Sequence, residues 1–228
     1  VNPYDTNPVE KPCWVAPSNW LKQHTEKRLG SEVRTVYHGI NLERHRADLE
    51  AKEGFLLFMA RVTPFKGAME FLALAKATGW RGKLCGEDWY VDDQNFVRAV
   101  MDACAATKGQ VEYLGRANQE WKVELMQKAA CLVTPLMPPY YEIFGLTTVE
   151  AMSCGTPVLS TDRGAAKELI IHGQTGAIAI NETCLEENLQ IALVCKPEDC
   201  IEQAQKFSAA KMAKDYVKIY KQVIKEPW

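Results

Sequence analysis

Residues 131–161 read CLVTPLMPPYYEIFGLTTVEAMSCGTPVLST. Two short apolar runs, CLVTP (131–135) and PVLST (157–161), enclose LTTVEAMSCG (146–155), which reads as a helix. Gly155 is a natural stop for that helix, and Pro157 forbids its continuation. Near-continuous apolar strands joined through a helix are the pattern of a parallel sheet covered on both faces.

The same alternation runs along the chain. CWVAPS (13–18), VRTVYH (33–38), FLLFMA (55–60), GKLCG (82–86), VEYLG (111–115) and TGAIAI (175–180) read as further strands. Helices are expected at 19–29, 66–79, 92–107, 118–130 and 164–173. In the second of these, Met69, Leu72, Ala73 and Ala77 mark the apolar spacing and Gly79 the stop. Asn118 is the expected cap of the fourth. The segment ERHRADLEAKEG (43–54) is polar and reads as surface. FSAAKMAKDYVKIYKQVI (207–224) carries Met212, Tyr216, Ile219, Tyr220 and Val223 on one face and reads as a closing helix. With right-handed crossovers this order gives an α/β fold, a doubly wound parallel sheet of Rossmann-like type. Such sheets place a ligand outside the carboxyl ends of their strands. The unusual loops all follow strands: RVTPFKG, GEDWY, GRANQ and LMPPYYEIFG.

Bulk numbers exclude several classes. Lys+Arg 27 against Asp+Glu 29 gives a net charge of −2, so no basic field argues for nucleic acid. No apolar run approaches the roughly 20 residues of a membrane span. VNPYDTNPVEKP has no apolar stretch, and no signal peptide is expected in this chain. The eight cysteines form no C-x-x-C pair, which predicts buried free thiols in a reducing compartment. The four histidines make no zinc spacing, so no metal site is expected. Neither G-x-x-x-x-G-K-[ST], G-x-G-x-x-G nor G-x-S-x-G occurs.

The loop chemistry leaves alternatives open. Phe144, Gly145 and Leu146 form the start of the 146–155 helix, where unpaired amides and the positive dipole end suit a phosphate. Gly145 either lets a ligand approach the backbone or serves an ordinary tight turn. Glu150, one turn into the helix and expected to face the strand ends, can hold a vicinal diol such as a ribose. Glu142, in the loop before it, can accept the hydroxyls of a second polyol. Either acid alone is also explained by the helix dipole. Arg61 and Lys66, in ARVTPFKG, converge on a diphosphate or belong to a solvated turn.

Glu142 and Glu150, spaced as E-x7-E within YEIFGLTTVEAMSCGTPVLSTDRGAAKELIIHGQTG, make the sequence resemble the retaining glycosyltransferases of the GT-B fold. This is the family 4 type, which includes sucrose synthase-like and mannosyltransferase enzymes. RVTPFKG resembles its R-x-x-x-x-KG loop, VRTVYHGIN its strand entering the second domain, and FSAAKMAKDYVKIY its usual ending. The resemblance spans about residues 13–224.

It implies a role for each matching residue. Glu142 contacts the donor hexose and is the catalytic candidate. Glu150 holds the ribose. Phe144, Gly145 and Leu146 meet sugar and phosphates through their amides, and Arg61 and Lys66 bind the diphosphate. Gly86 and the turn from Leu114 to Arg116 border the nucleotide. No cofactor or metal is implied; the substrate is a UDP-, GDP- or ADP-linked sugar.

The implied domains are 1–38, the end of an acceptor-binding domain with its linker, and 39–228, the nucleotide-sugar-binding domain. The acceptor domain itself is expected elsewhere, upstream or on a partner chain. Where the family carries paired glycines before its late helix, RGAAKE stands, and Arg163 there either alters the donor pocket or is solvated. The resulting expectation is hexosyl transfer to an unidentified acceptor, in the cytoplasm or peripheral to a membrane. A non-catalytic nucleotide-sugar-binding module needing a partner and a GT-B-fold sugar epimerase remain as alternatives.

Overall fold

The computed structural model describes residues 12–86 and 93–225. Six parallel strands form the main sheet: β3 (Leu56–Met59), β4 (Gly82–Cys85), β5 (Val111–Gly115), β6 (Cys131–Thr134), β7 (Val158–Thr161) and β8 (Gly176–Ala179). Their order is β5-β4-β3-β6-β7-β8. The chain passes between them through α2 (Ala68–Thr78), α3 (Gln94–Ala106), α4 (Gln119–Lys128), α5 (Leu146–Ser153) and the single-turn α6 (Ala166–Leu169). Helices α7 (Leu185–Leu193), α8 (Pro197–Gln205) and α9 (Ala209–Lys225) follow the last strand.

Burial on both sides explains why the strands are apolar throughout. Leu56 and Phe58 of β3 enter a core with α2, α3 and α7, built on Phe71, Val100 and Leu189. Leu57 and Met59, one residue out of phase, enter the opposite core with α4, α5 and α8, built on Met126, Met152 and Ala204. Successive strand residues thus serve opposite layers, as a doubly wound sheet requires. The chain leaves β3 towards β4 and leaves β6 towards β7, in opposite directions. The carboxyl ends of β3 and β6 therefore border a crevice that neither crossover covers.

Local signals set most boundaries. The side chains of Asp93 and Asn118 accept from the amides of Phe96 and Trp121, capping α3 and α4. At the end of α5, Gly155 adopts φ 72°. The Thr156 amide then donates to Ala151 O and the Gly155 amide to Met152 O, both at 2.9 Å. This double closure satisfies carbonyls that a helix end leaves open.

A separate two-stranded parallel sheet precedes the main one. It pairs β1 (Trp14–Ala16) with β2 (Val33–Thr35) around α1 (Asn19–Leu29). Its junction with the main sheet is polar. The Glu168 carboxylate accepts from the amides of Asn19 at 2.8 Å and Trp20 at 2.6 Å, and from the Tyr37 hydroxyl at 2.7 Å. An acid from elsewhere in the chain so caps the positive end of α1. Burial and the adjacent carboxylate raise the Tyr37 phenol well above its ordinary range.

Several expectations need correction. The helix expected over 164–173 is only Ala166–Leu169. Its start is displaced because Gly164 is held in a bridge to Glu142. In α2 the buried face is Ala68, Phe71, Leu72, Leu74 and Ala75, whereas Met69, Ala73 and Ala77 point outward. An almost wholly apolar helix hides its own phase. On α9, Ile219 is buried but Tyr220 is exposed. Helices α7 and α8 go beyond the sequence expectations: PEDCIEQAQ is mostly polar, and LEENLQIAL mixes apolar and polar residues over only nine positions. The 43–54 segment is mostly surface, yet His45 is buried within it. The eight thiols are free, but Cys13 is exposed and Cys184 half-buried. The GEDWY loop is described only at Gly86, and the expected helix start at Asp92 lies outside the described residues. Among the described residues no helix is long and apolar enough to cross a membrane.

Lys52 carries a pH dependence. Its ammonium is largely buried, donating to Ala129 O at 3.0 Å and to Thr156 Oγ1 at 2.6 Å. Burial lowers its pKa from 10.5 to about 8. Between those values the unfolded chain holds more protons than the folded one, so stability rises with pH. Wild type compared with Lys52→Met is therefore expected to gain relative stability from pH 8 to pH 10 in denaturant titrations. A difference that stays flat over this range would show that the buried amine keeps its proton.

Candidate functional site

A cavity of about 340 Å³ opens at the β3–β6 crevice. Phe58, Met59 and Ala60 line it from β3, Val133 and Thr134 from β6, and Glu142 to Thr148 from the loop and first turn of α5. Leu136, Ser160, Ala166, Lys66 and His38 complete the wall.

The loop after β3 delivers Lys66. Its Nζ donates to Glu142 Oε2 at 2.7 Å and to the Tyr140 hydroxyl at 2.8 Å. Tyr140 in turn donates to Glu142 Oε1 at 3.2 Å. Both oxygens of Glu142 are thus engaged, and each still has a lone pair for another donor. Close backbone packing fixes the loops. A Cβ on Gly67 would lie 1.9 Å from Pro135 O, and one on Gly164 would lie 2.1 Å from Glu142 O. The Ala165 amide donates to Glu142 O at 2.8 Å, and Ser18 Oγ donates to Ile143 O at 2.6 Å.

Gly145 caps α5 at φ 104°, a backbone conformation that favours glycine, and no side chain caps the helix. The turn alone therefore accounts for this glycine. The Thr148 amide turns back to Gly145 O at 3.1 Å, while the preceding α5 amides of Leu146 and Thr147 have no acceptor within the helix. They open at the cavity, so the site can receive an anion beside a paired carboxylate.

Glu150 stands in a different compartment. It is 8% exposed and does not line the cavity. Lys122 Nζ lies 2.5 Å from its Oε2, an ion-pair contact off the hydrogen-bond direction. His45 Nε2 lies 3.5 Å from Oε1. His45 Nδ1 sits 3.0 Å from Asn41 O, an arrangement that places the ring proton on Nδ1, and Gln119 Nε2 lies 3.1 Å from Nε2. The side of α5 turned to α4 and the 41–45 segment thus holds a buried acid with one poorly satisfied oxygen.

Of the residues singled out in the sequence, the structure gathers Lys66, Glu142, Phe144, Gly145 and Leu146 around one cavity. Phe144 is buried, while Leu146 is exposed at the mouth. Arg61 is exposed on the turn after β3 and does not line the cavity. Gly86 is buried at the end of β4, where a Cβ would lie 2.0 Å from Ala60 O, so strand packing requires it. Leu114 packs against the α4–α5 core, and Arg116 is exposed after β5. Arg163 lies 5.7 Å over the Tyr141 ring and does not line the cavity. Sequence reasoning missed Tyr140, His38, Lys122 and His45. Tyr140, two residues before Glu142, adjoins the segment that carries the resemblance, and His38 stands within VRTVYHGIN, whereas Lys122 and His45 lie in neither.

Six parallel strands flanked by helices, with a crevice at the switch point, form the architecture of the Rossmann-like domain of GT-B glycosyltransferases. Sucrose-phosphate synthase from Thermosynechococcus elongatus superposes with a TM-score of 0.79 at 22% identity, over 93% of this chain and 58% of that one. The Anabaena protein HepE, solved in complex with UDP and glucose, gives 0.75 at 20% identity, over 92% of this chain and 62% of that one. At such identities the likeness concerns the fold. Residues 40–209 match the family described as glycosyl transferases group 1, and the chain belongs to it. An uncharacterised glycosyltransferase of Methanocaldococcus jannaschii is 28% identical over 221 residues, covering 92% of this chain and 59% of that protein. The chain thus spans less than two thirds of the length of these relatives.

The Gly164 contact yields a direct test. Gly164 holds φ +69° with no room for a Cβ. Gly164→Ala is expected to destabilise the fold by roughly 1–3 kcal/mol, the scale of stored backbone strain. Thermal or denaturant unfolding measures this, and an unchanged midpoint would contradict the close packing on Glu142.

Proposed function

We propose that this domain holds the nucleotide-sugar donor of a retaining hexosyl transfer. The observation that carries the reading is the convergence of Glu142, Lys66 and the uncapped start of α5 on one cavity. The complexes of the Anabaena relative with UDP and with UDP-glucose support it.

In this reading the hexose hydroxyls donate to the free lone pairs of Glu142. Lys66 and Tyr140 hold that carboxylate in place. The leading α5 amides, Lys66 and Arg61 offset the diphosphate charge without a metal. Glu150 takes the ribose hydroxyls, and Gly86, Leu114 and Arg116 border the base. During transfer the bond from the anomeric carbon to the phosphate oxygen breaks, and its electron pair stays on that oxygen. The helix start faces the growing charge. The acceptor hydroxyl bonds to the same carbon and passes its proton to the phosphate oxygen that leaves. The acceptor surface belongs to the remainder of the protein, of which residues 1–38 form the end. The same proposal places the protein in the cytoplasm or peripheral to a membrane.

Calorimetry with UDP, GDP, ADP and their glucose conjugates tests this. One nucleotide is expected to bind. Glu150→Ala is expected to weaken it roughly tenfold or more, the scale of charge-assisted hydrogen bonds. Glu142→Ala also releases Lys66. It is therefore expected to lose affinity for the sugar conjugate while binding the free nucleotide at least as well. No binding by the wild type would sink the donor reading. Equal losses for nucleotide and conjugate would remove Glu142 from the hexose.

A further inference from the structure

We propose that the His38 imidazole contacts the distal phosphate of the bound nucleotide, the group that leaves with it. The inference rests on the donor reading of the cavity and adds a residue to it.

His38 lines the cavity from the segment that joins β2 to the main sheet. Its ring meets Phe144 edge-on, with centroids 5.5 Å apart and planes at 82°. Phe144 immediately precedes Gly145, the cap of α5, so the imidazole stands beside the helix start. Among the described residues no hydrogen bond reaches the ring nitrogens of His38. A half-buried imidazole in a cavity with both nitrogens unused has capacity for a ligand.

Its position is held from both sides. Tyr37 is tied to Glu168. The Gly39 amide lies 3.2 Å from Met212 Sδ, and a Cβ on Gly39 would sit 2.4 Å from Ser208 O. Ile40 and Ala209 exchange the chain onto the start of α9, through Ile40 N to Phe207 O at 2.9 Å and Ala209 N to Ile40 O at 2.8 Å. The ring is therefore carried on a backbone with little freedom, as a preorganised donor requires.

Charge accounting selects the phosphate as its partner. Lys66 is the lysine of the cavity wall, and its ammonium is already matched by Glu142. Arg61 does not line the cavity, so in the donor reading it meets the diphosphate from the exposed turn outside it. The lining hydroxyls of Thr134 and Ser160 donate to backbone carbonyls within the sheet. A diphosphate entering here therefore brings more charge than Lys66 offsets. Imidazole supplies an N–H donor when neutral and a positive charge when protonated.

The test compares His38→Leu, which removes the donor, with His38→Gln, which keeps an N–H. Calorimetry uses whichever of UDP, GDP or ADP the wild type binds, with its glucose conjugate. His38→Leu is expected to weaken the free nucleotide roughly tenfold or more. The conjugate should lose less, because its terminal phosphate carries less charge. His38→Gln should recover most of the affinity at an unchanged melting temperature. Unaltered nucleotide binding by His38→Leu overturns the proposal while leaving the donor reading intact. Equal losses in both variants also overturn it, since they mark a packing role. Wild type that binds none of the nucleotides overturns both.

Discussion

A lysine from the loop after β3 and a glutamate from the loop after β6 meet 2.7 Å apart across the sheet's switch point. The two strands lie side by side, but their chains leave in opposite directions. Nothing in the sheet itself ties the two loops together. The Lys66–Glu142 pair does so, with Tyr140 bonded to both members. Side chains so far removed from water repay their desolvation only when geometry and hydrogen bonding are good. Backbone contacts supply that geometry. Gly67 rests on Pro135 and Gly164 on Glu142, each at a distance that excludes a side chain.

The small front sheet extends the same logic. Glu168 leaves the one-turn α6 to cap α1, and Ser18 bonds the Ile143 carbonyl, one residue after Glu142. Tyr37 and His38 then pack on Phe144, with Phe207 closing the cluster. Moving α1 would therefore disturb the loop that positions Glu142. The residues of 12–38 are part of the site's support, even though the main sheet contains none of their strands.

The fold was legible because its signals are local. Continuous apolar strands, Asn118 as a cap and Gly155 as a stop act within a few residues of themselves. What stayed hidden depends on distant partners. The short mixed sequence of α7 and the polar one of α8 become helices buried on one side because Leu189 and Ala204 find the two cores. The phase of α2 was misread because almost every face of it is apolar, and the sheet alone chooses Phe71 over Met69. At the site, Glu142 and Glu150 stood out by their spacing. Lys122 and His45 did not, since each is one polar residue among many until α4 and the 41–45 segment come together. Gly86 drew notice as a ligand-side glycine, whereas Ala60 is what leaves it no Cβ.

Eight residues apart in sequence, the two glutamates occupy separate compartments, and each already has a lysine. An unpaired buried carboxylate would be costly; a lysine on each lowers that cost, although Glu150 Oε2 lacks a well-directed hydrogen bond. On the proposed donor reading, ligand entry becomes an exchange of partners. In that reading hydroxyl donors supplement the ammonium at each acid, and Lys66, the lysine that borders the cavity, also faces an anion at the start of α5. Such an exchange changes few net charges in a partly dry space, so it needs little reorganisation. The paired lysines also explain how two acids can stand near an uncapped helix start. The negative charge at the cavity beside the amides, on Glu142, is already offset by Lys66.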